Sequence, residues 1–149
     1  MNYKEKYRQW LDFADPDTKA ELESLTDEKE IEDRFYKDLA FGTGGLRGIM
    51  GAGSNRMNRY TVGKATLGLA NYLKSTGKAD LKVAIAYDSR NNSADFAKTA
   101  AGIFANCGLH VYLYDRLVPV PVLSFTTRYL HCDAGVMITA SHNPKEYNG

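Results

Sequence analysis

The sequence predicts an α/β fold: a three-layer domain with a mixed, largely parallel sheet flanked by helices, preceded by an N-terminal helical arm. Three observations predict it. From residue 41 onward, short apolar runs bounded by turn residues alternate with longer amphipathic segments. Those runs are almost continuously apolar, as strands covered on both faces are. The first 40 residues differ in kind, with 12 acidic and 7 basic side chains (net −5) against 6 and 12 (net +6) in residues 41–149. The expected organisation is an acidic helical arm over 1–40 and an α/β body over 41–149.

Taken in order, Tyr3, Tyr7, Trp10 and Leu11 fall at helical spacing. Asp15-Pro16 places a capping residue before a first-turn proline and starts a second helix. Thr26 is the expected cap of a third, with Ile31, Phe35 and Leu39 on one stripe. The acidic faces of this arm read as solvated surface on a segment that packs against something else, rather than as a site for a basic partner. In the body, Leu46–Met50 reads as a strand after a glycine-rich stretch, and 61–74 as a helix capped by Thr61. Val83–Tyr87 is a strand, 93–107 a helix, and Gly108 stands where a left-handed C-terminal residue is wanted. His110–Tyr114 is a strand. Pro119 and Pro121 break the chain before a helix over 122–130, and Ala134–Thr139 is the last strand.

Composition excludes several classes. Lys plus Arg total 19 against 18 for Asp plus Glu, too even for a strongly basic nucleic-acid binder. The run Ala134–Ala140 is far too short to span a bilayer. Residues 1–10 lack the apolar stretch of a secretory signal. Cys107 and Cys132 have no metal-ligand spacing and read as reduced thiols. These features predict a cytoplasmic protein with no nucleic-acid or membrane partner.

Open α/β sheets bind ligands beyond the carboxyl ends of their strands. Here those ends lead into Asp88-Ser89-Arg90, into Asp115-Arg116, and into Ser141-His142-Asn143-Pro144. The stretch Gly42-Thr43-Gly44-Gly45-Leu46-Arg47-Gly48 can bring backbone amides close to a phosphate, because no Cβ intervenes. It is neither a G-x-x-x-x-G-K-S/T phosphate loop nor a dinucleotide fingerprint, and it carries Arg47, a residue suited to bidentate phosphate binding. Ser141, at the end of a buried strand and stiffened by Pro144, is presented rather than packed. It can serve as a nucleophile or as a phosphoryl carrier. The hydrolase elbow G-x-S-x-G is absent, and His142 is adjacent in sequence with no acid placed to orient it. A phosphoryl carrier needs cations and donors nearby, which Arg47, Arg90, Asn143 and the glycine loop (Gly44, Gly45) would supply. A plain helix-capping Ser and Asn is the alternative without chemistry.

Three segments in order, Phe41 through Gly48, Tyr87-Asp88-Ser89-Arg90, and Thr139-Ala140-Ser141-His142-Asn143-Pro144, resemble the α-D-phosphohexomutase superfamily. The resemblance runs over about residues 41–149. The acidic helical N-terminus and Gly48–Ser54 are most similar to its subgroup containing phosphoglucomutase and phosphopentomutase. The resemblance implies that Ser141 is the phosphorylated serine, which passes its phosphoryl group to a sugar monophosphate. The bound sugar 1,6-bisphosphate, also the activator, reorients and returns its other phosphoryl group. The net reaction interconverts sugar 1-phosphate and 6-phosphate, with glucose the expected sugar and mannose or a pentose the alternatives. Mg2+ is the implied cofactor, bound here only through the Ser141 phosphate. Arg47 matches the arginine beside the phosphoserine, Arg90 the arginine after the second strand, and His142 and Asn143 the serine's neighbours.

The family's Asp-Gly-Asp-Gly-Asp magnesium loop does not occur in these 149 residues, nor does its Gly-Glu-x-Ser/Thr-Gly sugar loop. The expectation is therefore the first of four domains, ending within the catalytic loop, with the remaining domains of the parent chain as partners and no activity in this piece alone. A serine hydrolase and a non-catalytic phosphosugar-binding module are the competing readings.

Overall fold

A computed structural model describes every residue except Thr43, so that one position of the glycine stretch lies outside the described residues. The arm forms α1 (Tyr3–Phe13), α2 (Pro16–Glu23) and α3 (Glu28–Phe35). Their starts are set by short polar side chains. The Asn2 side chain accepts from the Glu5 N–H while Glu5 reaches back to the Asn2 N–H, a reciprocal cap. Asp15 caps α2 with Pro16 in its first turn, as expected. The cap of α3 is Asp27 rather than Thr26, since the Asp27 carboxylate is the group that accepts from the Lys29 N–H. The helix ends at Phe35, so Leu39 leaves the arm's stripe and packs on the body core instead.

The body contains β1 (Phe41–Gly42), β2 (Gly45–Leu46), β3 (Gly48–Ile49), α4 (Arg59–Ser75), β4 (Lys82–Tyr87), α5 (Ser93–Asn106), β5 (His110–Leu113), α6 (Val120–Tyr129), β6 (Ala134–Ile138) and β7 (Tyr147–Asn148). The main sheet has the order β5-β4-β6, parallel throughout, with Val83 opposite both Val111 and Ala134. On one face Val83 and Ile85 meet Ala97, Ala100 and Phe104 of α5 and Val62, Ala70 and Leu73 of α4. On the other, Ala84 and Ala86 meet Leu123 of α6. Cover on both faces is why β4 reads as an unbroken apolar run.

Three expectations change in the body. The segment Leu46–Met50 is not one strand. Its residues belong to two antiparallel pairs, β1 with β2 and β3 with β7, with Arg47 between them in neither. Asn58, not Thr61, caps α4. Its side-chain oxygen accepts from the Tyr60 and Thr61 N–H groups, and its amide donates to the Gly51 and Gly53 carbonyls. Pro119 and Pro121 do not merely interrupt the chain, since Pro119 is the cap of α6 and Pro121 lies in its first turn, where a missing N–H costs nothing.

The arm is docked on the body. Trp10, Leu22 and Phe35 share a buried cluster with Ala52, and Trp10 meets the Tyr60 ring edge-on at 5.2 Å. Tyr60 donates to the Asp15 carboxylate at 2.6 Å and accepts from the Asp15 N–H at 2.7 Å. Buried Arg56 donates to Asp33 at 2.6 Å, and Lys64 pairs with Asp38 at 2.7 Å. Part of the arm's negative charge thus meets part of the body's positive charge within one molecule.

Candidate active site

The serine loop starts where β6 ends and returns through β7. Ser141 is held at φ +55°, a left-handed conformation that a residue with a Cβ seldom adopts. Its N–H donates to the Thr139 hydroxyl at 3.0 Å, and its side chain is exposed. The Oγ stands 3.4 Å from His142 Nδ1. The serine hydroxyl is therefore presented to solvent rather than packed.

Arg47 reaches this loop through the β3–β7 pair, in which Gly48 faces Asn148 and Ile49 faces Tyr147. Gly149 lies between the two segments, and its carbonyl accepts from the Thr139 N–H at 2.7 Å. A Cβ on Gly149 would stand 2.5 Å from the Leu46 carbonyl, 2.8 Å from that of Thr139 and 2.9 Å from Arg47 Cγ, so only glycine permits this approach. The Arg47 guanidinium folds back toward the Gly44 carbonyl at 3.4 Å, where a Cβ on Gly44 would meet Nη2 at 2.7 Å. Gly45 takes φ +107°. Gly44, Gly45, Arg47, Thr139 and Ser141 line one cavity of about 480 Å³, together with apolar side chains of α4, α5 and β6. That volume is within the range of small-molecule sites, about 300–1,000 Å³. A larger cavity of about 750 Å³ lies between the arm and α4 and contains none of the candidate residues.

Arg90 lies against the serine loop. Its Nη1 donates to the Pro144 and Tyr147 carbonyls at 2.8 and 3.1 Å, and its Nη2 to those of Ser141 and Asn143 at 2.9 and 2.7 Å. Each terminal nitrogen thus serves two carbonyls of the loop. Its cation holds the serine loop, with Asp88 beside it at 3.5 Å. Neither His142 nor Asn143 lines the cavity, although His142 touches Ser141. The side-chain oxygen of Asn143 is buried with no hydrogen-bond partner among the described residues.

The sequence reading missed Thr139 as the support of Ser141, and it missed Asn148. Asn148 is fully buried, donating to Ser93 Oγ and to the Asn91 carbonyl at 2.9 Å each. The signal for it was a short amide side chain immediately before a glycine. Among the described residues no three His, Cys, Asp or Glu side chains converge on a point. These residues by themselves therefore do not form a magnesium cage. No helix among the described residues is long and apolar enough to cross a membrane.

The parallel sheet, the glycine-and-arginine hairpin and the exposed serine belong to one α/β domain. Residues 38–149 match the family described as phosphoglucomutase/phosphomannomutase, alpha/beta/alpha domain I, and the chain belongs to that family. Phosphoglucomutases of Staphylococcus epidermidis and Staphylococcus haemolyticus are 45% and 44% identical to it over 140 residues, or 94% of this chain. A crystal structure of a protein assigned as a phosphomannomutase from Thermus thermophilus superimposes with a TM-score of 0.69 at 33% identity. It matches 76% of this chain and 25% of its own. The chain spans about a quarter of the length of the curated relatives it matches, 26% and 25% of these two.

Proposed function

We propose that this chain is the serine-bearing domain of a phosphosugar mutase that interconverts a sugar 1-phosphate and 6-phosphate, with glucose as the sugar. The observation that carries the reading is Ser141, presented in a left-handed turn on a cavity it shares with Arg47 and the glycine hairpin. The names of the Staphylococcus relatives favour glucose over mannose or a pentose.

In this reading the phosphoryl group on Ser141 Oγ passes to the free hydroxyl of a sugar monophosphate. The serine oxygen keeps the electron pair of the broken P–O bond, and the sugar hydroxyl loses its proton. The resulting bisphosphate turns over and returns its other phosphoryl group to the same oxygen. Arg47 and the amides of Gly44 and Gly45 bear the negative charge of the transferred group. His142, 3.4 Å from Ser141 Oγ, handles the proton. Mg2+ would stabilise charge on the transferred group, and this chain offers it only the phosphate on Ser141. A serine hydrolase is disfavoured, since no carboxylate hydrogen-bonds His142 among the described residues. One quarter of a mutase's length is expected to be inactive alone, so the remaining domains are its working partners, in the cytoplasm where phosphosugars are handled.

The test is a chimera in which this chain replaces the matching residues of the Staphylococcus epidermidis enzyme. Glucose 1-phosphate turnover and a phosphate on Ser141 in the intact-mass spectrum are expected, with both lost in Ser141→Ala. A folded chimera that turns over substrate unchanged after Ser141→Ala would sink the proposal.

A further inference from the structure

We infer that Ser93 and Asn148, which touch neither Ser141 nor the cavity, are positioning residues for the serine loop and act as one unit with Asp88 and Arg90. The loop is held at two ends. Arg90 gathers four of its carbonyls, those of Ser141, Asn143, Pro144 and Tyr147, within 2.7–3.1 Å. Asn148 anchors the far end: its amide nitrogen donates to Ser93 Oγ and to the Asn91 carbonyl, and its oxygen accepts from the Gly149 N–H at 2.8 Å. The two anchors meet at a single atom. Asp88 Oδ1 accepts from the Arg90 N–H at 3.0 Å and from the Ser93 hydroxyl at 2.8 Å.

Three features mark this as more than ordinary loop packing. Ser93 and Asn148 are 1% and 0% exposed, so each polar group there depends on its protein partner. The chain bends to make the join, since Asn92 takes φ +63° and α5 starts without a side-chain cap. A planar guanidinium is the one side chain that can serve four acceptors in a fixed fork, and Lys cannot replace it. A left-handed serine is disfavoured and persists only where its surroundings over-determine it. The clamp supplies that over-determination from the side away from the cavity. It needs no bound phosphosugar to set the loop. Its value to turnover rests on the mutase reading, but its existence does not.

The test uses the isotope-labelled chain and needs no substrate. Wild type is expected to give the strong intraresidue HN–Hα cross-peak of a positive φ at Ser141. It is also expected to give slow hydrogen exchange at Asn143 and Tyr147, whose N–H groups donate to Ala140 and Pro144. Arg90→Lys and Ser93→Ala are each expected to weaken that cross-peak and to speed exchange at both amides by at least tenfold. Exchange at Ile85 in β4 should stay within twofold. Loop exchange within twofold of wild type in both variants overturns the clamp. So does an equal rise at Ile85, which would make the network general packing. In the active chimera the same substitutions are expected to lower kcat tenfold or more with KM unchanged, and a rise in KM alone overturns the positioning role. A chimera inactive even as wild type would count against the mutase reading while the exchange data still judge the clamp.

Discussion

Replacing Phe35 with Ala should release the helical arm before the sheet unfolds. Phe35 is fully buried and meets the Tyr7 and Trp10 rings edge-on, each at 5.7 Å between centroids. It shares its cluster with Leu22 and with Ala52 of the body. Truncating a buried Phe costs about 3–5 kcal/mol, from lost transfer energy and the cavity left behind. Domain stabilities are about 5–15 kcal/mol, so the loss is a large part of the total. It falls on the arm, because the second cluster is separate from the β4 core. Trp10 is the only tryptophan and is 7% exposed, so its emission reports arm docking with no label. In urea, the wild-type Trp10 signal and the far-ultraviolet ellipticity should change together. In Phe35→Ala the Trp10 transition should move to lower urea by an amount worth about 3–5 kcal/mol, ahead of the ellipticity change. Coincident transitions in the variant, with a shift worth less than about 1 kcal/mol, would refute an arm held chiefly by this aromatic cluster.

Other outcomes follow from named contacts. The Tyr60 hydroxyl beside Asp15 holds its carboxyl down at about 2, helped by the Thr18 N–H. A lowered carboxyl contributes stability above its ordinary value near 3.8 and loses it as pH falls through about 2. Tyr60→Phe should therefore cost about 1–3 kcal/mol at neutral pH, with the difference from wild type closing in acid melts toward about pH 2. Gly53 takes φ +129°, and an added Cβ would stand 2.7 Å from the Arg34 carbonyl, so Gly53→Ala should destabilise by about 1–3 kcal/mol. Gly68 lies exposed within α4 with nothing near its Cβ position, and Gly68→Ala should stabilise by about 0.5–1 kcal/mol in the same denaturation assay. Ser141→Gly should be no less stable than wild type, because glycine accepts φ +55° freely, yet should carry no phosphate; a clear drop in melting temperature would contradict strain at that residue.

The elements of the body were legible because their cues are local. Val83–Tyr87 is an apolar run short enough for a strand, and the structure adds only Lys82 at its start. Gly108, expected to be left-handed after a helix, has φ +85°. Asp15-Pro16 opens α2 as its chemistry requires. Where two capping residues compete, local cues fail. Thr26 and Asp27 are adjacent, as are several polar residues before α4, and spacing alone does not choose between them. Asn58 wins because its amide reaches two carbonyls of the Gly51–Gly53 turn while its oxygen caps the helix.

The candidate site divides along the same line. Residue types and their order along the chain were enough to single out Ser141, Arg47 and the glycine stretch, because a presented serine, a fork-shaped cation and Cβ-free backbone are properties of individual residues. Where each cation rests is a property of the packing. Arg47 and Arg90 are equally good phosphate ligands as side chains. The antiparallel pair of β3 with β7 carries Arg47 to the cavity, while four carbonyls of a loop more than 50 positions away accept from the terminal nitrogens of Arg90. The charge division at residue 40 is decided in the same way. Its net values are read directly from composition, but its destination, with Asp33 on Arg56 and Asp38 on Lys64, exists only once the arm lies on the body, because ion pairs form between neighbours in space.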